Sequence, residues 1–599
     1  MRKFREWGLA MLLIIVAAGL IMLMQWQKHT VILGYDTFFH FNRIYDAAQQ
    51  LQTGRFNYFM SNYGYQQSGQ MINALYGPYF AYVLGLVLWL TGSWFSFQLV
   101  TGTLILVGAG VSAWVLFCRL HVHRSLAILG ALIYLGQNFI TYWITSAAFL
   151  DWGAMILPLA VLMGLGLLDG RPTKISWGLG LVIALLIEMH TLSAVMTCLM
   201  LVPFALVGWW RSKTKGRYLG RLGLNALGAL VLTANYLVVF VNVMLHNHLV
   251  APFAVKSLAQ GAMHFLSPNW MQTDLGIVFI VIISGQIALL WLVRPQRRLN
   301  YFLTGIGLVF FYISSNLFPW RLVGRYLPFL NHFLQFPSRF FSFAALLILA
   351  GFLMSLTTVL DMPKLHWVHG SLYALVGLLT VMTVMLGMRN VKFQADNNWH
   401  GQTEPPQVGV YTPVKHRHDY YQPGVTNARL KADFASSDLN RPLLDERRGI
   451  TDYLPNNSGR VNVRHLQTQY QTQIMSRSSR FTKHVDRQGQ LHVAWRESQA
   501  AVTTIPVVAY HDTRVRLNGQ TLQRGQHADA NHFSVTEIGA IQVLTRSGAN
   551  QVTVSYQPAS WITGARLISL GAWFLVFGWG WCLCFRYLFK RCWCGLTRF

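Results

Sequence analysis

Apolar residues fill this chain in long unbroken runs, and polar residues gather between them. Runs long enough to cross about 30 Å of hydrocarbon fall at 7–26, 98–117, 125–144, 152–168, 176–190, 192–210, 221–243, 276–293, 301–318, 339–358, 371–388 and 563–583. Each predicts a transmembrane helix. The first has a basic start and no small-residue cleavage site after it, and it reads as an uncleaved signal anchor. A shorter apolar stretch, Pro78–Leu90, suits an interfacial or re-entrant helix better than a span. As one helix, residues 176–210 would extend about 50 Å at 1.5 Å per residue, so they divide into two short helices with a turn near Glu188, Met189 and His190.

Between the last two spans the pattern changes. Residues 390–560 are polar, and their later part alternates with period two in LHVAWR, TTIPVVAY, TRVRLNG, HFSVTE, IQVLTR and NQVTVSYQ. With turn pairs at Asn518-Gly519 and Ser547-Gly548, these short strands predict a small antiparallel sandwich. The expected organisation is a transmembrane domain over 1–389 with a long first outer loop at 27–97, then an extracytoplasmic domain over 390–562. That domain divides into an irregular arm (390–459) and a β-rich part (460–560), and a final span with a basic tail occupies 563–599.

Composition agrees with this pattern: 53% of residues are hydrophobic and 12% charged, far from the soluble average. The fold class is a polytopic α-helical membrane protein of about twelve transmembrane helices, with an extracytoplasmic β-sandwich-type domain before the last span. Lys and Arg accumulate in cytoplasmic loops. Treating Pro78–Leu90 as re-entrant places Arg2, Lys3, Arg5, the cluster Arg211, Lys213, Lys215, Arg217 and Arg221, and Arg586, Lys590 and Arg591 on one side. That side is then cytoplasmic and holds both termini, in a plasma (cytoplasmic) membrane protein with 390–562 outside. The same rule accounts for the formal charge of +27 without nucleic acid. All six cysteines fall in spans or the tail, so no disulfide is expected outside. The pairs Cys582/Cys584 and Cys592/Cys594 lack metal-site spacing and a nearby His.

Candidate chemistry gathers on the outer edge. Asp36, in GYDTFFHFNR, follows the first span in a chain poor in acids. If the stretch is helical, Asp36, His40 and Arg43 share one face. An ordinary surface ion pair is the alternative. Asp46 and the segment NYFMSNYGYQQSGQMINALYGPYF follow; its amides and aromatic rings suit sugars, although an interfacial aromatic belt accounts for them better. Asp151, Glu188 and His190 mark further outer ends, and Arg321, Arg325, His332 and Arg339 precede the span at 339–358. Four outer edges offering acid, His or Arg predict a shared pocket.

These features resemble the GT-C superfamily of polytopic glycosyltransferases: an uncleaved first span, a long acidic first outer loop, a juxtamembrane helix opened by Gly-Pro, a second outer acid and a C-terminal soluble domain. More narrowly, DTFFHFNRI, YGPYFAYVLG, MHTLSAV and LQFPSRFF are similar to bacterial membrane proteins labelled 6-pyruvoyl-tetrahydropterin synthase-related. Nothing in the chain resembles a soluble pterin enzyme with a His-rich zinc site. The superfamily resemblance implies transfer of a sugar from a polyprenyl-phosphate carrier to an envelope polymer, lipid or protein acceptor at the outer face of the bilayer. By position, Asp36 matches the first-loop acid that serves as base or acceptor-orienting group, and Asp151 the second-loop acid. His40 would tune Asp36. Arg339 and then Arg325 would hold the leaving phosphate, with Arg43, Glu188 and His190 as further substrate contacts. No cofactor is assigned. A divalent metal stays open, because some members use an acidic pair where this chain has Asp36-Thr37-Phe38. A lipid-linked saccharide transporter and a noncatalytic envelope-assembly protein are the alternative functions.

Overall fold

The computed structural model describes residues 2–264, 275–293, 298–401, 404–409, 419–459 and 462–596. Arg294 and Arg297, and the side chains of Cys582, Cys584, Cys592 and Cys594, lie outside this description. Among the described residues, seventeen helices run through the first part of the chain: α1 Arg2–Lys28, α2 Thr37–Thr53, α3 Pro78–Thr91, α4 Trp94–Arg119, α5 Arg124–Leu135, α6 Asn138–Ser146, α7 Leu150–Leu167, α8 Gly178–Met189, α9 Thr191–Arg211, α10 Lys215–Leu232, α11 Ala234–His246, α12 Gly276–Leu292, α13 Arg298–Ser314, α14 Trp320–Tyr326, α15 Leu330–Phe333, α16 Phe341–Leu360 and α17 His369–Asn398. A last helix, Ser560–Leu596, follows the strand domain.

Among the described residues, 8 helices are long and apolar enough to cross a membrane, or up to 9 if α10 and α11, bent by 72°, count as one span. This is the architecture of a multi-pass membrane protein. Helix α16 lies at its centre. Apolar nearly all round its circumference, it is buried along almost its whole length, as such a helix must be, and it packs against α12 and α13. Polar groups tie these three together: Gln286 Nε2 donates to Asn300 Oδ1 at 2.9 Å and Thr304 Oγ1 at 2.7 Å, and Asn300 Nδ2 to Ser355 Oγ at 2.8 Å. Such bonds act as glue between helices whose apolar surfaces gain little by leaving lipid.

Eight strands span residues 482–556: β1 Thr482–Val485, β2 Leu491–Glu497, β3 Ala501–Val508, β4 Thr513–Leu517, β5 Gln520–Arg524, β6 His532–Val535, β7 Ala540–Thr545 and β8 Gly548–Tyr556. Their order is β1-β2-β8-β4-β5-β6-β7-β3, antiparallel except at the β5–β6 junction. In β4, Val515 is buried while Arg514 and Arg516 are exposed, the half-buried alternation expected of a sheet with one solvated face. Residues 463–475 differ from the β-rich expectation and are helical. Leu466, Tyr470 and Ile474 are all buried at a spacing of four, which is a helical and not a strand period. The arm also contains regular structure: α17 continues to Asn398, and Asn427–Ala435 forms a helix capped by Thr426.

The segment between α2 and α3 is bonded into protein. Asn57 and Asn62 both donate to the Gly489 carbonyl, at 2.8 and 2.9 Å. Gln70 Nε2 reaches Ile450 O at 2.9 Å. Lys483 donates to the carbonyls of Gln66, Gln67 and Pro506 at 2.8, 3.0 and 2.8 Å. These amides therefore dock the first loop onto the strand domain, which neither the sugar nor the belt reading of that segment foresees. Asp46 belongs to the same scaffold, accepting Tyr63 N–H at 2.8 Å and Gln50 Nε2 at 2.7 Å.

Candidate active site

The backbone leading to Asp36 is clamped from both sides. Gln98 accepts the N–H of Ile32 at 2.7 Å and donates to its carbonyl at 3.0 Å. Asn398 does the same for Leu33, at 2.9 and 3.0 Å. Trp399 Nε1 adds a bond to Val31 O at 2.7 Å. Gly34 then passes so close to Ser146 that a Cβ would lie 2.0 Å from its carbonyl carbon. Each amide reproduces the paired donor and acceptor of a neighbouring strand, so an extended segment is held without a sheet.

Asp36 is the N-cap residue of α2, its carbonyl accepting His40 N–H at 2.9 Å. Its carboxylate makes no capping bond, and among the described residues it has no hydrogen-bond or ion-pair partner. Solvent reaches it, yet protein crowds the space around it. Desolvation by that surrounding mass, reinforced by Asp452 and opposed by Arg339 and Arg448, raises its pKa to about 6. Asp36 is thus accessible but crowded, with Asp452, Arg339 and Arg448 among its charged neighbours.

His40 is buried one helical turn beyond and stacks on Phe149 with ring centroids 4.0 Å apart. Its Nδ1 has no partner. Burial first, then Arg43 and His190, hold its pKa well below the usual value, so it is neutral. Arg43 is fully enclosed. It bonds Asn73 Oδ1 at 3.1 Å and the carbonyl of Tyr76, and its guanidinium lies over the Tyr76 and Phe149 rings at 4.4 and 5.1 Å. No ion pair joins it to Asp36. Its contacts shape the entry to α3, and it faces protein on every side.

Glu188 and His190 bring in the α8–α9 turn. Glu188 Oε2 accepts the backbone N–H of Tyr79 at 3.2 Å, and Oε1 accepts Asn235 Nδ2 at 2.8 Å. The carboxylate thus meets the exposed N–H groups and positive dipole end of α3. Gly77, at φ +55°, allows this approach, since a Cβ there would sit 1.8 Å from Glu188 O. His190 Nδ1 accepts the Ser193 backbone N–H at 3.2 Å and caps α9. In the neutral ring the proton then resides on Nε2. The ring lies 6.5 Å from that of Tyr76.

Arg339 sits in the turn Pro337–Phe340, directly before α16. Its Nη1 donates to Leu334 O at 2.9 Å, and no carboxylate bonds it. Being mounted on the most enclosed helix fixes its position. The arm contributes two further charged neighbours of Asp36: Asp452, exposed, and Arg448, half-buried, whose Nη1 donates to Tyr420 Oη at 2.8 Å. Neither was among the residues singled out by sequence. The signal available was local: DERRGITDY packs three acids and two arginines into one stretch of an acid-poor chain.

Two singled-out residues lie apart from this group. Asp151 is buried, bonds the backbone N–H of Trp143, and leaves Oδ1 without a partner. It stands behind the aromatic wall, where the Trp143 indole meets Phe149 edge-on at 5.3 Å. Arg325 is exposed on α14, and no contact connects it to Asp36. Among the described residues no group of three or more His, Cys, Asp or Glu side chains could hold a metal ion. Around Asp36 the protein offers two exposed carboxylates, its own and that of Asp452, together with neutral imidazoles and the guanidinium of Arg339.

Compared with known proteins, the chain matches no family model and no curated protein.

Proposed function

We propose that this protein is a GT-C-type glycosyltransferase that moves a sugar from a polyprenyl-phosphate carrier to a cell-envelope acceptor on the outer face of the cytoplasmic membrane. The observation that carries this reading is the unengaged carboxylate of Asp36 with the carboxylate-free guanidinium of Arg339 among its charged neighbours. Counting the shorter helices α8, α12 and α13 with the bent α10–α11 pair brings the crossings to about twelve. Both termini are then cytoplasmic and the strand domain lies outside.

In this mechanism Asp36 accepts the proton of an acceptor hydroxyl as its oxygen attacks the anomeric carbon. The bond from that carbon to the phosphate oxygen breaks, and polyprenyl phosphate departs with the electron pair. A pKa of about 6 leaves the carboxylate ionised at neutral pH yet basic enough to be an effective general base. Arg339 offers planar donors to the leaving phosphate, where charge develops. Tyr326, Phe329 and Phe333, exposed just before it, present an apolar surface for the carrier's hydrocarbon. Arg43 and Glu188 hold α3 in place, and His40 lines the wall.

Release of polyprenyl phosphate from a polyprenyl-phosphate sugar, measured in proteoliposomes, tests the reading. Arg339→Ala should lower turnover by roughly 10²–10³-fold, and Arg339→Lys should restore little because the planar fork is lost. Normal turnover in both variants would remove Arg339 from the site. A wild-type protein that carries the lipid-linked sugar across the bilayer without cleaving it would replace the transferase by a transporter.

A further inference from the structure

The outward face of the strand domain carries a second feature, separate from the Asp36 cleft. A depression of about 920 Å³ lies over β2, β8 and β4. Its floor is built of small groups, Ala494, Ala549 and Gly519, which leave the space between larger neighbours open. Arg496, Arg516 and Arg546 stand around it, all exposed. Among the described residues none of the three is bonded to a carboxylate.

The nearby acids are already engaged. Glu497 is bound by Arg480 and accepts Thr503 Oγ1 at 2.9 Å. Asp486 accepts His492 Nε2 at 2.9 Å. Fixed in this way, His492 turns Nδ1 toward Thr553 Oγ1 at 3.1 Å and Gln551 Nε2 at 3.3 Å. A row of hydroxyl and amide groups thus crosses the floor between unneutralised guanidinium groups. The pleat places Arg516 opposite Thr553, and Arg496 opposite Ala549, so the charges flank the row.

We infer that this depression binds an anionic saccharide, a sugar chain bearing carboxylate or phosphate groups. Guanidinium forks match either oxyanion bidentately, and the hydroxyl and amide row meets sugar hydroxyls. A neutral glycan would leave the three arginines without complement. The site holds whether or not the cleft transfers a sugar, because it shares no residue with it. Under the transferase reading it would grip an acidic envelope acceptor.

Equilibrium binding to the full-length protein in detergent tests this with three probes: tetragalacturonate for carboxylate, a glycerol phosphate tetramer for phosphate, and neutral maltotetraose. At least one anionic probe should bind, weakening as salt rises, and maltotetraose should bind at least about tenfold more weakly. The double variant R496Q–R516Q should lose about tenfold or more in affinity, while Arg487→Gln, in the β1–β2 turn, should not. Unchanged thermal unfolding establishes that the variants are folded, and the single substitutions R496Q and R516Q give the same readout if the pair is not. Failure of both anionic probes to bind, equal binding of maltotetraose, or binding indifferent to the arginine substitutions would overturn the inference.

Discussion

Asn398 pairs with the backbone of Leu33 in both directions, accepting its N–H at 2.9 Å and donating to its carbonyl at 3.0 Å. The two residues are 365 positions apart. The end of α17 is thereby bonded to the segment that carries Asp36, and the position of the candidate base depends on a helix far along the chain.

Asn398→Ala should therefore destabilise the protein by about 1–3 kcal/mol, the cost of leaving a buried backbone N–H unsatisfied. Asn398→Asp keeps the acceptor for Leu33 N–H but turns a buried carboxylate oxygen toward the carbonyls of Leu33 and Gln407, and should cost at least as much. Thermal unfolding in detergent measures both. An alanine variant as stable as wild type would mean that the clamp contributes nothing to the fold.

A second relationship predicts a stability effect at a residue singled out for chemistry. Glu188 caps α3 through Tyr79 N–H and receives Asn235, so Glu188→Ala orphans two buried donors and should cost roughly 1–3 kcal/mol. Glu188→Gln retains an acceptor for Tyr79 and should keep most of the stability. If the glutamine variant were as stable as wild type yet devoid of transfer activity, Glu188 would belong to the reacting group and not to the scaffold.

These cases show which parts of the molecule can be read locally. Apolar runs and period-two alternation are properties of neighbouring residues, and they reveal long membrane-type helices and the strands around Val515 and Val552 without tertiary information. Within α2, the spacing of His40 and Arg43 follows from helical geometry in the same way. The docking of Asn57 and Asn62 on Gly489, and of Asn398 on Leu33, is formed across hundreds of residues, and no local period announces it. An amide fated to pair with a distant carbonyl looks like any loop polarity. Residues 463–475 carried a helical period, buried at Leu466, Tyr470 and Ile474, that the neighbouring strand pattern obscured. Asp452 and Arg448 come from the arm, and their place near Asp36 required the fold.

The charges around Asp36 make the pH dependence of transfer a test of neighbourhood. The reactive form is the carboxylate, whose pKa is raised to about 6 by desolvation from the crowding protein and by Asp452, with Arg339 and Arg448 opposing. The rate should accordingly rise with pH and level off above about 6. Asp452→Asn removes a like charge, so the acid limb should move to lower pH. Arg339→Ala removes a cation, and in its residual activity the limb should move to higher pH. A limb that stays in place in both variants would show that neither residue faces Asp36.

The most direct test of the central claim is the turnover of correctly inserted Asp36→Asn protein with a polyprenyl-phosphate sugar in proteoliposomes. Asn keeps the shape of the side chain but cannot take up the acceptor's proton. Asp36 has no partner in the fold among the described residues, so insertion, thermal stability and donor binding should persist while turnover falls by roughly 10²–10⁴-fold. Near-normal turnover by the stable Asn variant would contradict the assignment of Asp36 as the base, and with it the transferase account.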